Sequence, residues 1–270
     1  MKIAFVGGGH IAAAMIAGMR AGERAADDII VADRNSEKRR KLREKFGVPV
    51  ADSQNALPKN ADILILAVKP AAMRAACRKI TQRRAIVVSV AAGVSLAKIA
   101  AWIPFAPRHL ARAMPNTPLA AAAGMTVCHA VAPEIHAQVG ALFASAGKVL
   151  WVKDEAMLDA ATAVSGCGPA YLYYLAEAME EAATAAGFSA AEARLLVSQT
   201  LRGGGEMLCA RDESAAELRR AVAVKGGATE RAIAAIESQN WKKIVHDAVR
   251  AAQNRAEEIA EELARQPADE

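Results

Sequence analysis

The stretch "IAFVGGGHIAAAM", residues 3–15, decides how the first half of the chain folds. A short apolar run typical of a strand leads into Gly7 and Gly9, and Ala12 follows at the expected start of a helix. In a dinucleotide-binding fingerprint the first glycine makes a tight turn, the second lets a pyrophosphate approach the backbone, and the third small residue lets helix and strand pack closely. The N-terminus of the helix favours the anion. This order predicts dinucleotide binding; a plain strand–helix turn is the alternative.

Further apolar runs of strand length follow, and they end near residue 152. With the first strand, they are "KIAFVG", "DIIVAD", "DILILAV", "AIVVSV", "RHLARAM", "MTVCHA" and "KVLWV". Apolar strands separated by helical segments predict a mostly parallel sheet that is buried on both faces. Later stretches are rich in Ala, Leu and Glu, and they predict helices near 154–164, 169–186, 189–210, 214–224, 228–238 and 240–264. We therefore predict an α/β Rossmann-type dinucleotide-binding domain at 1–153 and an all-helical domain at 154–270.

Composition narrows the class of protein. Hydrophobic residues make up 53% of the chain, but no uncharged apolar run reaches about 18 residues, so we expect no membrane span. Four cysteines lie far apart without a CxxC pair, which predicts reduced thiols in a cytoplasmic protein and no metal site. The net charge is +5, and the dense basic run at 34–45 is interpreted as a solvated helix face, with an anion site at its start as the alternative.

The end of the second predicted strand carries conflicting signals about the cofactor. Asp33 is an acid of the kind that accepts hydrogen bonds from a ribose 2′-hydroxyl, which favours NADH. Arg34, Asn35 and Lys38 follow, and a guanidinium with neighbouring donors suits a 2′-phosphate. We predict NADPH as the preferred cofactor, with NADH as the alternative, and we expect Asp33 to turn into solvent or to pair with Arg34.

The predicted helical domain lacks the base that many dehydrogenases use. Reduction of a carbonyl needs a proton donor at the oxygen, and hydroxyacid dehydrogenases of similar architecture place a Lys after the domain linker. Here no Lys, Arg or His occurs between Asp154 and Ala193. A protonated imine accepts hydride directly at carbon, so an imine substrate fits this chain better than a carbonyl.

A second glycine pair interrupts a helical pattern in "AVAVKGGATERAI", residues 221–233. Gly226 and Gly227 each cost a helix interior about 1 kcal/mol relative to Ala, so we expect one helix to end there and another to begin. Free amides at the new helix N-terminus make an anion site, with the Thr229 hydroxyl and the Lys225 charge nearby. A Gly-Gly turn capped by Thr229 is the alternative.

Six motifs together make the chain resemble the pyrroline-5-carboxylate reductase family. They are "FVGGGHIA" (5–12), "LAVKP" (66–70), "VSVAAGVSL" (88–96), "RAMPNTP" (112–118), "VSGCGPAYLYYLAEAM" (164–179) and "KGGAT" (225–229). The resemblance implies NAD(P)H-dependent reduction of 1-pyrroline-5-carboxylate to L-proline. It also implies a helical dimerisation domain that interlocks with a partner subunit. We expect a homodimer or larger homo-oligomer that binds this small substrate and neither nucleic acid nor membrane.

The resemblance also assigns site residues. It implies a cofactor site formed by Gly7, Gly8, Gly9, His10, Ile11, Ala12, Arg34, Asn35, Ala67, Val68, Lys69, Pro70, Ala91, Ala92 and Gly93. It implies a substrate site formed by Met114, Pro115, Asn116, Gly226, Gly227, Ala228 and Thr229. Thr229 is the implied catalytic residue, because the family's Thr hydroxyl is thought to hydrogen-bond the ring nitrogen.

Two positions depart from the family pattern, and two other interpretations compete with it. Val224 stands where the family often has Ser, which removes one expected hydrogen bond to the substrate carboxylate. Cys167 stands where family members commonly have Ser, and a thiol is a weaker donor. A hydroxyacid or 6-phosphogluconate-type dehydrogenase would need the missing base. A non-enzymatic dinucleotide-sensing protein would leave "RAMPNTP" and "KGGAT" unexplained.

Overall fold

A computed structural model describes residues 1–107 and 109–265, and its centre is one eight-stranded sheet. The strands are β1 (Ile3–Val6), β2 (Ile29–Ala32), β3 (Val50–Ala51), β4 (Ile63–Leu66), β5 (Ile86–Ser89), β6 (His109–Pro115), β7 (Gly124–Ala130) and β8 (Gly147–Trp151). Their spatial order is β3-β2-β1-β4-β5-β6-β7-β8. Neighbouring strands run parallel except β6 and β7, which are antiparallel. The predicted mostly parallel sheet is confirmed, and β3, at two residues, was too short to predict.

Both faces of the sheet are buried, which explains why its central strands are apolar at every position. In β1, Ile3 and Phe5 join the core on one face, while Ala4 and Val6 join the core on the other. The covering helices are α1 (His10–Ala21), α2 (Ser36–Phe46), α3 (Met73–Cys77), α4 (Leu96–Trp102) and α5 (His136–Gly140). Successive residues of a strand point to opposite faces, so a strand covered on both sides loses the usual polar alternation.

Helices make up the chain after β8, as predicted. They are α6 (Met157–Ala161), α7 (Gly168–Ala185), α8 (Ala190–Ala210), α9 (Ala215–Val222), α10 (Ala228–Ser238) and α11 (Trp241–Arg265), with a π-helical turn at Thr162–Gly166. Ser189 and Ser214 begin α8 and α9 in reciprocal capping boxes with Glu192 and Glu217. Such boxes satisfy amides that the first helical turn leaves without a partner. Of the helices in the described residues, none is both long and apolar enough to cross a membrane.

The described residues divide into two compact units. The sheet unit comprises Met1–Pro169 and the chain from Ala251 onward, and the helical unit comprises Ala170–Arg250. Helix α11 therefore begins in the helical unit and ends in the sheet unit. The segment 154–169, which follows the last strand, belongs to the compact unit of the sheet.

Candidate active site

The glycine loop after β1 is held by neighbouring strand ends. Gly7 has φ +101°, and a Cβ there would lie 2.5 Å from the Ala67 carbonyl oxygen, so this position requires glycine. Its amide donates to the Ala32 carbonyl at 2.8 Å. Gly9 is the N-cap of α1, and a Cβ at Gly9 would meet nothing within 4 Å. There is no space for a side chain where the loop contacts the sheet at Gly7, whereas Gly9 leaves space for a phosphate at the N-terminus of the helix.

The N-terminus of α1 offers amides to an anion. No side chain among the described residues caps this helix, and its first intrahelical hydrogen bond is donated by Ala13 to the Gly9 carbonyl at 3.0 Å. The preceding amides in the first turn therefore have no intrahelical acceptor. Together with the helix dipole they fit a pyrophosphate.

Asp33 turns inward, toward the glycine loop. Its Oδ2 accepts from the Gly8 amide at 2.8 Å, and its Oδ1 accepts from the Asn35 amide at 2.8 Å. The Lys38 Nζ lies 3.7 Å from the same carboxylate. The expectation that Asp33 turns into solvent or pairs with Arg34 is wrong, because backbone amides and Lys38 hold this carboxylate. Each carboxylate oxygen accepts from one backbone amide, so the protein itself partly neutralises the negative charge of Asp33.

The residues after Asp33 have separate tasks. The Asn35 side chain accepts from the Lys38 amide at 2.9 Å and so caps α2. The Arg39 guanidinium donates to the Asp33 and Arg34 carbonyls at 2.8 and 2.9 Å. The exposed Arg34 side chain lies at the start of the basic helix, where it adds positive charge beside the end of β2.

The predicted cofactor residues gather at one edge of the sheet. Strand register aligns Val6 with Leu66 and Leu66 with Ser89, the last residues of β1, β4 and β5. The segments Ala67–Pro70 and Ala91–Gly93 leave from the carboxyl ends of those neighbouring strands. In open α/β sheets, ligands bind outside the carboxyl ends of the strands. The structure thus brings the glycine loop and these two segments together.

Strand β6 extends beyond the end of β5 and carries the predicted Met114 and Pro115, and Asn116 follows directly after it. All three are buried. The Asn116 side chain accepts from the Met125 amide at 2.9 Å and donates to the Ser165 carbonyl at 3.0 Å. Asn116 thus bridges backbone segments on either side of it. Its amide group is committed to the protein, which the motif alone did not reveal.

A buried ion network on β6 was not predicted. Arg112 is 4% exposed, and its Nη1 donates to Glu155 Oε1 at 2.9 Å. Its Nη2 lies 3.8 Å from Asp159 Oδ1. Burial raises the pKa of Asp159, Arg112 opposes that rise, and Glu257 and Glu155 reinforce it. The signal that sequence analysis overlooked is a single charged residue inside the otherwise apolar strand "HLARAMP".

In the helical unit, the second glycine pair lies between α9 and α10, as expected. Gly226 has φ +77°, and Gly227 is the N-cap of α10. The Glu230 carboxylate accepts from the Gly226 amide at 2.7 Å. No side chain among the described residues caps α10, so the alternative of a Thr229 cap is wrong. Exposed Thr229 and the first-turn amides of α10 lie together on the surface of this unit.

Two further observations concern possible metal sites and a cavity in the helical unit. In the described part of the chain, no group of three or more His, Cys, Asp or Glu is arranged to hold a metal ion. A cavity of about 800 Å³ in the helical unit is lined by residues of α9, α10 and the start of α11, including Ile233, Ile236 and Trp241. None of the predicted substrate residues lines it.

Comparisons with known proteins agree with this architecture. A family model described as pyrroline-5-carboxylate reductase dimerisation matches residues 155–259, and one described as NADP oxidoreductase coenzyme F420-dependent matches residues 2–93. The pyrroline-5-carboxylate reductase of Pseudomonas aeruginosa is 38% identical, covering 97% of this chain and 98% of that protein. The enzyme of Pasteurella multocida is 36% identical, covering 96% and 97%.

Solved structures give the same result. A pyrroline-5-carboxylate reductase from Coxiella burnetii superposes with a TM-score of 0.86 at 34% identity, covering 96% of this chain and 98% of that one. A Plasmodium falciparum pyrroline carboxylate reductase with NADP bound gives a TM-score of 0.84 at 25% identity, covering 96% and 98%.

The fold and the free amides at the carboxyl edge of the sheet define a dinucleotide-binding protein with a Rossmann-type domain followed by helices. The comparisons identify it as an NAD(P)-dependent oxidoreductase. The chain belongs to the pyrroline-5-carboxylate reductase family. The resemblance inferred from the six sequence motifs is thereby confirmed.

Proposed function

We propose that this chain reduces the cyclic imine 1-pyrroline-5-carboxylate to L-proline, with NADPH as the preferred reductant. The observation that carries the proposal is near-full-length similarity to pyrroline-5-carboxylate reductases in a fold with an open glycine loop at the sheet edge. When bound, NADPH supplies the hydride. The chain's own residues bind the two ligands, orient them and stabilise their charges.

At the cofactor, the first-turn amides of α1 hold the pyrophosphate, and Gly9 leaves room for it. Inward-facing Asp33 supports an NADPH preference, because the Gly8 and Asn35 amides partly neutralise the negative charge that would repel a 2′-phosphate. Arg34 provides the guanidinium for a 2′-phosphate. Lys38 has a smaller part than the sequence suggested, because it lies beside Asp33. The segments Ala67–Pro70 and Ala91–Gly93 line the cofactor at the same sheet edge.

At the substrate, Gly226, Gly227 and Ala228 present backbone to the carboxylate, and the dipole of α10 contributes about 0.3–1 kcal/mol. The Thr229 hydroxyl faces the ring nitrogen and selects one orientation of the imine. Val224 supplies no hydroxyl to the carboxylate, so the amides carry more of its binding. In the sheet unit, Met114 and Pro115 at the end of β6 and the backbone-bridging Asn116 are the residues that we propose for substrate contact.

The enzyme works as a homodimer or larger homo-oligomer. Large apolar side chains of α7 are exposed in the single chain, among them Leu172 at 56% and Tyr174 at 76%. A contiguous exposed apolar surface in a helix is stabilised by a protein partner, and the dimerisation family model covers this region. We place the functional domain boundary at 153/154, just after β8 and next to the start of the dimerisation family model at residue 155, although the compact sheet unit continues to Pro169.

A cytoplasmic location stays a prediction from the cysteine pattern.

The test of the proposed reaction is the fall in NADPH absorbance on addition of 1-pyrroline-5-carboxylate, with formation of proline measured in the same mixture. We expect turnover with this imine and none with a 2-hydroxy acid plus NADP⁺. Turnover of the hydroxy acid alone would favour the dehydrogenase alternative. Cofactor binding without turnover of either compound would favour a dinucleotide-sensing protein.

The cofactor preference is tested by Arg34→Ala. Removing the guanidinium should raise the KM for NADPH by about tenfold or more, since a hydrogen bond to a charged group contributes about 1.5–3 kcal/mol. The KM for NADH should change little. Arg40→Ala within α2 is the matched control, because Arg40 pairs with Glu37 and Glu44. Equal changes for both cofactors, or a wild-type preference for NADH, would contradict the assignment.

A further inference from the structure

Three successive side chains on one face of β6 contact the segment that leads into the helices. Ala111 and Ala113 point into one core of the sheet, so Arg112, Met114 and Asn116 point to the opposite side. Arg112 contacts Glu155 and Asp159, Met114 packs in a cluster with Leu158, and Asn116 donates to the Ser165 carbonyl. Contacts at Glu155, Leu158 and Ser165 thus hold this segment along its length.

The same contacts extend to the loop after β5. Glu155 Oε1 accepts from the Leu96 amide at 2.8 Å as well as from Arg112 at 2.9 Å. Leu96 begins α4 immediately after the Ala91–Ser95 loop. Ala92 in that loop packs against the cluster of Met114, Val127 and Leu158. One carboxylate oxygen therefore links β6 to the start of α4, and the loop before α4 leaves from the carboxyl end of β5.

We propose that Arg112 and Glu155 are positioning residues, which fix the Ala91–Ser95 loop against the Met114–Asn116 segment and so set the distance between cofactor and imine. The proposal rests on the proposed function of those two segments. Neither side chain needs to touch a ligand. Arg112 is buried and hydrogen-bonded to Glu155, with the Asp159 charge nearby, and Glu155 accepts from the Arg112 guanidinium and from a backbone amide.

The geometry explains why an ion pair is used here. A guanidinium on a rigid central strand has a fixed position, and its hydrogen-bonded carboxylate is fixed in turn. The Asp159 oxygen at 3.8 Å and the Arg112 Nη2 have no hydrogen-bond partner among the described residues. Glu155 therefore carries the directional hydrogen bonds, and Asp159 contributes charge. Without Arg112, the negative charges of Glu155 and Asp159 would repel each other with no cation between them.

The decisive variants are Glu155→Ala and Glu155→Gln. Glutamine keeps an oxygen that can accept from Leu96 and Arg112, whereas alanine removes both bonds. We expect kcat/KM for the imine to fall about 10- to 100-fold in Glu155→Ala, the range that small misplacement of reacting groups produces. Glu155→Gln should retain most of the activity. Glu134→Gln is the matched control, because Glu134 lies 3.9 Å from His109 at the opposite end of β6.

Two readouts separate positioning from general destabilisation. Hydrogen exchange in the segment containing Leu96 should accelerate in Glu155→Ala, without ligands, and stay at the wild-type rate in both glutamine variants. The deuterium isotope effect on kcat/KM with 4-deuterated NADPH should rise in Glu155→Ala as hydride transfer becomes slower. A variant that only loses folded protein would show a lower apparent kcat with an unchanged isotope effect and KM, and this result would overturn the proposal.

Arg112 is tested in the same way with Arg112→Met and Arg112→Lys. Lysine should recover part of the activity lost in the methionine variant, because it restores the charge without the second hydrogen-bonding arm. If Arg112→Met does not fold, Glu155→Ala decides, since the Glu155 side chain is 26% exposed and its removal leaves a smaller defect. Unchanged exchange at Leu96 in Glu155→Ala would refute the link. A wild-type protein that binds NADPH but does not reduce the imine would refute the proposed function instead.

Discussion

The glycine loop Gly7–Gly9 and the glycine pair Gly226–Gly227 both precede the start of a helix, but their surroundings differ. At Gly7 the backbone is packed so closely that a Cβ would lie 2.5 Å from the carbonyl oxygen of Ala67, which follows the neighbouring strand β4. At Gly226 the φ of +77° also favours glycine, but a Cβ would meet nothing within 4 Å. The first glycine is required by the sheet itself. At Gly226 glycine is favoured only by the left-handed backbone conformation and by the close approach of the proposed substrate carboxylate.

The amide hydrogen bonds of the two glycine segments differ in the same way. The Gly8 amide donates to Asp33, which follows strand β2 of the buried sheet. The Gly226 amide donates to Glu230, four residues further along an exposed helix. The first loop is held by contacts between residues far apart in the chain, so we expect it to keep its shape without a ligand. The second is held by a contact four residues away, so we expect ligand binding to have a larger part in ordering it.

The largest effect should come from Gly7→Ala. A methyl group at this position clashes with the Ala67 backbone and holds a non-glycine residue at φ +101°. Together these costs lower the free energy of unfolding by about 2–5 kcal/mol. Chemical denaturation measures that loss, and NADPH fluorescence titration should show lost cofactor binding. Gly9→Ala is the control, and it should weaken NADPH binding while leaving stability nearly unchanged. Equal stability of Gly7→Ala and wild type would mean that packing against the sheet does not require glycine at position 7.

A smaller effect is expected from Thr229→Ala in the exposed first turn of α10. Loss of a hydrogen bond to a charged group costs about 1.5–3 kcal/mol, or roughly ten- to a hundredfold in kcat/KM for the imine. The NADPH dissociation constant should stay the same, because the proposed cofactor segments lie in the sheet unit. Thr229→Ser should retain activity. Full activity of Thr229→Ala, or a loss confined to cofactor binding, would mean that the glycine pair is only a turn.

The smallest effect should come from Gly226→Ala, the counterpart of the Gly7 substitution. Only the left-handed backbone conformation is penalised, so we expect a loss of about 1–2 kcal/mol in unfolding free energy. Thermal denaturation of the two alanine variants, side by side, gives the comparison directly. If Gly226→Ala were as damaging as Gly7→Ala, close packing that the single chain lacks would have to surround Gly226, as in an oligomer interface.

Local pattern was enough to predict most of the fold. Strand-length apolar runs identified seven of the eight strands, because a sheet covered on both faces leaves a strong signal in each strand. The break at Gly226 and Gly227 identified the start of α10 for the same local reason. Strand β3 was missed, because two residues carry no periodicity.

The candidate site was less accessible to local reasoning. The motifs named Asn116 but not its two backbone bridges, and they named Asp33 but not its partner Lys38. Arg112 and Glu155 were overlooked because 43 positions separate them in the chain. No periodic pattern relates residues that far apart.

By itself the sequence determined the class of fold, the place of the dinucleotide loop and the position of the helix start at residue 228. These depend on glycines, caps and apolar spacing, which act over a few residues. Only the tertiary structure decided which way Asp33 faces, what Arg112 holds, and that Gly7 is confined while Gly226 is open. Those features depend on strand order and burial, which bring together segments that the chain keeps far apart.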